Sequence, residues 1–135
     1  HKLYAGAMDE VKERHADLQG ELLPALEVFA HVQSLPEPGL AIVALGKRDI
    51  GCDPDLPMPQ RLYREGQAPQ DVRGWGVRMI MDQHLFLSVP AGETLAVGDI
   101  ISFGTSHPCL TFDKWRQVLL VDEALDVVEV MPTCF

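Results

Sequence analysis

The sequence predicts a mainly β domain, an antiparallel β-barrel or sandwich preceded by one α-helix, and three observations carry that prediction. Apolar residues recur every three or four positions as far as Leu22, then every second position from Ala25 onward. Beyond that switch, short apolar runs are punctuated by turn formers, in a chain of 135 residues with 11 Gly and 10 Pro. No internal repeat or low-complexity tract suggests a solenoid or a biased tail.

Each element follows in turn. Met8, Val11, His15, Leu18 and Leu22 share one face of an amphipathic helix near residues 9–19, with Gly20 and Pro24 at its end. The division is therefore residues 1–23 as a helical linker and 24–135 as the β domain. Leu26, Val28, Ala30 and Val32 alternate with Glu27, Phe29, His31 and Gln33, the pattern of a strand with one buried face. Pro36, Pro38 and Gly39 turn the chain into Leu40–Leu45, a continuous apolar run read as a strand buried on both sides and closed by Gly46. Residues 51–76 carry four prolines and little periodicity and are read as a long irregular excursion of functional type. Val77–Met81, Leu85–Val89 and Ile100–Phe103 are the next strands, and Val118–Val121 and Val127–Met131 flank a polar connection of hairpin size.

Composition narrows the function. Hydrophobic residues make up 47% of the chain, enough for one core and against disorder. A net charge of −9 sets aside nucleic acid and anionic membrane surfaces, whose phosphates would be repelled. No apolar run approaches the roughly 20 residues of a membrane span, and the N-terminus lacks the apolar stretch of a signal peptide. Three cysteines, an odd number, argue for free thiols and a cytoplasmic setting over a disulfide framework. The chain opens on His1 without an initiator Met, as a piece of a longer protein would.

His107-Pro108-Cys109 is the sharpest chemical feature. In an extended segment, residues two apart point to one side, so imidazole and thiol could converge on one ion, with proline stiffening the link. Both donors suit zinc, and a two-ligand shell leaves positions for water or substrate, as catalytic sites do. A Cys–His nucleophile pair and a small buried thiol are the alternatives. Arg48 and Asp49, in the loop Gly46-Lys47-Arg48-Asp49 after a buried strand, could grip and orient a substrate carboxylate, or form a solvated turn. His84, between two apolar stretches, could face a site or be a hydrogen-bonded turn histidine. His31 is expected on the exposed face of its strand, and Trp75 and Trp115 are expected to pack.

Taken together, Pro24-Ala25-Leu26-Glu27-Val28, Val32-Gln33-Ser34, Pro36-Glu37-Pro38-Gly39, Gly46-Lys47-Arg48-Asp49, Asp82-Gln83-His84, Val97-Gly98-Asp99 and Ser106-His107-Pro108-Cys109 resemble a known family. It is the C-terminal domain of the D-serine dehydratase and D-threonine aldolase family, alanine-racemase-type pyridoxal-phosphate enzymes, with the closest likeness to the bacterial D-serine deaminase-like branch. The resemblance covers most of residues 24–132. It implies a metal-bearing domain of a lyase acting on D-3-hydroxyamino acids, with His107 and Cys109 holding zinc or another divalent ion beside the cofactor. It implies that the Schiff-base lysine lies in an N-terminal barrel to which no segment here corresponds; Lys47 does not take its place. On that reading no catalytic residue and no assigned cofactor contact lies within this chain. Residues 1–23 end the barrel, and the parent is a homodimer with its active site covered by this domain. The alternative is a stand-alone β-barrel module that binds a ligand or partner without catalysis.

Overall fold

The structure, a computed structural model, describes residues 25–134; the amphipathic helix expected near residues 9–19 lies outside them. Nine strands and one short helix follow in chain order: β1 (Glu27–Glu37), β2 (Leu40–Val43), β3 (Met58–Tyr63), β4 (Gln70–Asp71), β5 (Gly76–Ile80), β6 (Leu85–Ser88), β7 (Ile100–Gly104), α1 (Pro108–Phe112), β8 (Gln117–Val121) and β9 (Val127–Pro132). Seven strands form one antiparallel sheet in the order β4-β3-β7-β1-β2-β6-β5, curled into a half-barrel, and β8 and β9 pair as a separate hairpin. The mainly antiparallel β class predicted from the alternation is the one observed.

The long strand β1 makes the curl. Its first half pairs β7 from Glu27 to His31, and its second half pairs β2 from Val32 to Glu37. Register shifts interrupt the second half between Val32 and Ser34 and between Ser34 and Glu37. Pro36 falls in the second irregularity, where a residue without an N–H does no harm to the ladder. A bulged strand bends and twists more strongly, which lets one strand serve both halves of a curved sheet. Pro38-Gly39 then reverses the chain, with Gly39 at φ 80°, a conformation that a side chain would strain.

Strand alternation builds the core. Val28, Ala30 and Val32 of β1 face inward with Ala41 and Val43, Leu85 and Leu87, and Ile101 and Phe103, and Leu45, Ile50, Leu62, Val72 and Trp75 complete it. Trp75 packs as expected, whereas Trp115 is exposed and donates its indole N–H to the Asp49 carbonyl at 2.7 Å. The run from Leu40 to Leu45, read as buried on both sides, is paired only as far as Val43 and is fully buried on one face, with Leu40 and Ile42 half-covered on the other. The excursion expected between residues 51 and 76 contains β3 and β4. Proline and arginine in Met58–Tyr63 had masked the alternation, but Pro59 lies at an irregularity of the β3–β7 register, the position where a ladder tolerates it.

Candidate functional site

Two loops meet beyond the end of β7, and a glycine sets how closely. A Cβ placed on Gly51 would stand 2.5 Å from the His107 carbonyl oxygen and 2.9 Å from the Leu110 Cβ, so the backbones touch at a distance only glycine permits. The buried Thr111 hydroxyl lies at the centre of the junction. It accepts the Gly51 N–H at 2.9 Å and donates to the His107 carbonyl at 3.0 Å. The Thr105 hydroxyl lies 2.6 Å from it and accepts the His107 N–H at 3.1 Å. Since each hydroxyl has one proton, Thr105 donating to Thr111 satisfies both groups. Ser106 donates to the Asp55 carbonyl at 2.6 Å, tying the far end of the same loop.

This junction fixes the backbone of His107 and Cys109. His107 is the N-cap of α1 with extended φ and ψ, Pro108 occupies the first turn, and Cys109 is already helical. The extended segment on which the shared-side argument rested is therefore replaced by a cap and a helical turn, because a proline just inside a helix is pre-organised for that start. The two residues remain neighbours on one turn, with Cα atoms at most about 7 Å apart by chain geometry. The imidazole is half-exposed and the Cys109 thiol is exposed, not a buried small hydrophobe. His107 Nδ1 lies 2.8 Å from Asp53 Oδ1, in the facing loop. Asp53 was not among the residues singled out in the sequence; its only signal there is its place two residues after Gly51. Among the described residues, no three His, Cys, Asp or Glu side chains converge as a metal cluster.

Arg48 and Asp49 lie at the start of the same loop, and His84 lies on the turn between β5 and β6. Lys47 and Arg48 donate their backbone N–H groups to the Met81 and Asp82 carbonyls at 2.8 and 3.2 Å, so the 46–49 loop lies on the turn that carries His84. Gly46 permits this contact, since a Cβ there would stand 1.9 Å from the Asp82 carbonyl oxygen. Arg48 and His84 are exposed. His84 borders a shallow apolar hollow with Ile42, Met79, Met81 and Phe86. Asp49 turns inward and accepts the Gly46 N–H at 2.8 Å, which assigns its carboxylate to closing its own loop. His31 is exposed on β1, as expected, with Nδ1 3.2 Å from the Gly98 carbonyl.

One further ion pair fixes the loop before β7. Arg64 meets Asp99 through two hydrogen bonds of 2.9 and 2.5 Å, and Asp99 Oδ2 also accepts the Ala96 N–H at 2.7 Å. The Arg64 hydrogen bond holds the buried Asp99 carboxyl below the usual carboxylate range, burial partly opposing it.

A family model described as "Putative serine dehydratase domain" matches residues 25–121. Among solved structures, the chain is similar to the crystal structure of D-threonine aldolase from Filomicrobium marinum, with TM-score 0.68 and 23% identity over 84% of this chain. That match spans 28% of the aldolase chain. At this identity the likeness speaks to the fold. No curated protein matches.

Proposed function

The chain belongs to the serine dehydratase domain family, and we propose that it is the metal-bearing C-terminal domain of a pyridoxal-phosphate-dependent lyase acting on D-3-hydroxyamino acids. The carrying observation is the turn beyond β7, where an imidazole and a thiol reach the surface from a backbone that its neighbouring loop holds rigidly. Nitrogen and sulfur donors of this kind are those zinc accepts, so the residues present fit a divalent ion. His107 and Cys109 would hold it. When bound, the metal supplies Lewis acidity at a substrate hydroxyl and the pyridine cofactor an electron sink for the α-carbon.

The chain's own contribution is placement. The Gly51–Thr111 junction keeps both donors on a fixed turn, and a fixed site spends no free energy ordering itself when it binds. Arg48, exposed at the other end of the 46–55 loop, and His84, exposed on the turn against which that loop packs, offer a cation and an imidazole to a substrate carboxylate, while Asp49 holds the loop closed. Residues 1–23 would form the link to an N-terminal barrel that carries the cofactor lysine, with residues 24–135 as the β domain covering the site in a cytoplasmic homodimer. The relation to the aldolase favours this architecture, since the chain accounts for 28% of that protein's length.

The test uses the full-length protein. Chelation should suppress dehydration of a D-3-hydroxyamino acid, zinc should restore it, and His107→Ala and Cys109→Ala should each lose the rescue. Full zinc content with wild-type turnover in Cys109→Ala would overturn the reading.

A further inference from the structure

We infer that Asp53 is a positioning residue for His107, fixing which imidazole nitrogen faces a metal; the inference rests on the metal reading above. An ionised carboxylate only accepts hydrogen bonds, so at 2.8 Å from Asp53 Oδ1 the His107 Nδ1 must carry the proton. In the neutral ring that leaves the lone pair on Nε2, so the contact favours one tautomer and one ring orientation. Metal-bound histidines as a rule donate their second ring N–H to a carboxylate or carbonyl in this way, which raises the basicity of the ligating nitrogen.

The contact is built by the backbone. Asp53 follows Gly51 by two residues, and Gly51 is both hydrogen-bonded to Thr111 and too close to the His107 carbonyl to accept a side chain. Other carboxylates are engaged differently: Asp49 with the Gly46 N–H, Asp71 with Arg73, and Asp99 with Arg64. Asp53 instead reaches across 54 positions of sequence to an imidazole, although 56% of its side chain is open to solvent. An exposed aspartate gains little stability from such a partner. Its effect is therefore expected on ligand geometry more than on folding.

The experiment compares Asp53→Ala, Asp53→Asn and His107→Ala in the full-length protein. Nitrogen-15 spectra of the histidine rings in the metal-free protein report the tautomer, and titration with zinc against a chromophoric chelator reports affinity. The wild type should show His107 protonated on Nδ1. Asp53→Ala should mix the tautomers and weaken zinc binding about 10- to 100-fold, with the melting temperature unchanged. Asp53→Asn, whose amide oxygen still accepts the Nδ1 proton, should keep the tautomer and recover most of the affinity. If His107→Ala abolishes zinc binding while Asp53→Ala changes neither tautomer nor affinity, the positioning role is overturned and the metal reading stands. If Asp53→Ala lowers affinity only in step with melting temperature, Asp53 is structural and the inference fails. If the wild type binds zinc no better than His107→Ala, both readings fall.

Discussion

Single residues in this domain act through close approach and through paired charge, and the two can be tested separately. Gly46→Ala places a Cβ 1.9 Å from a backbone carbonyl that cannot rotate away, so the 46–49 loop and the turn at Asp82 must separate. Overpacking of this kind costs about 1–3 kcal/mol, to be read as a lower midpoint in urea. Arg48 and His84 should drift apart with it, because the backbone bonds from residues 47 and 48 hold them together. Asp99 tests charge. Its carboxyl is depressed by Arg64, so the unfolded chain takes up a proton at higher pH than the folded one. Its contribution is complete above the unfolded value, about 3.9, and is lost as pH falls through the lower folded value. Asp99→Asn should cost about 1.5–3 kcal/mol at pH 7, and the gap to wild type should close as denaturation is followed down in acid. A gap that stays constant to pH 2 would exclude the ion pair as its source.

At the scale of elements, what the sequence revealed depended on how each strand is paired. β1, β2, β6 and β7 are central strands with one inward face, so Val28, Ala30, Val32 and their partners alternate visibly. β4 is the two-residue edge strand, and β3 beside it is paired to β4 only through Arg61 and Leu62, so proline and charge are tolerated there and both strands read as loop. The helix α1 has five residues, too few to display a period, and its only signal was the proline after His107. The candidate site divides in the same way. His107 and Cys109 stand two apart in sequence and could be singled out there as candidates, whereas Asp53 depends on a contact between distant loops that no spacing encodes. Thr111 joins those loops. Thr111→Val keeps the shape but removes the hydroxyl, leaving the buried Gly51 N–H without its acceptor. Such a loss costs about 1–3 kcal/mol. Thermal unfolding should show it, and the Asp53–His107 contact should loosen with it, seen as a change in the His107 ring shifts.

For the whole molecule, the informative feature is an apolar surface larger than the fold requires. The β8–β9 hairpin has no strand partner in the seven-stranded sheet, yet Leu119, Leu120, Val127, Val128 and Val130 are all exposed. A two-stranded hairpin is marginal in water by itself, and large apolar side chains left exposed on such an element are those a contact surface would cover. The net charge of −9 opposes association at long range but is screened within about 8–10 Å at ordinary salt, leaving the apolar term to act at contact. The 135-residue chain should therefore self-associate at high micromolar concentration in sedimentation, more strongly as salt rises. Leu119 and Val130 are a cross-strand pair and so share one face of the hairpin, which makes them the pair to change. Leu119→Lys with Val130→Lys places two like charges opposite each other on that face. In the chain this should abolish association; in the full-length protein, where the proposed barrel or second subunit would cover the hairpin, it should weaken the dimer at least tenfold. A wild-type chain that stays monomeric at several hundred micromolar and high salt would show that the hairpin is not a contact surface, and would remove the structural motive for the dimer.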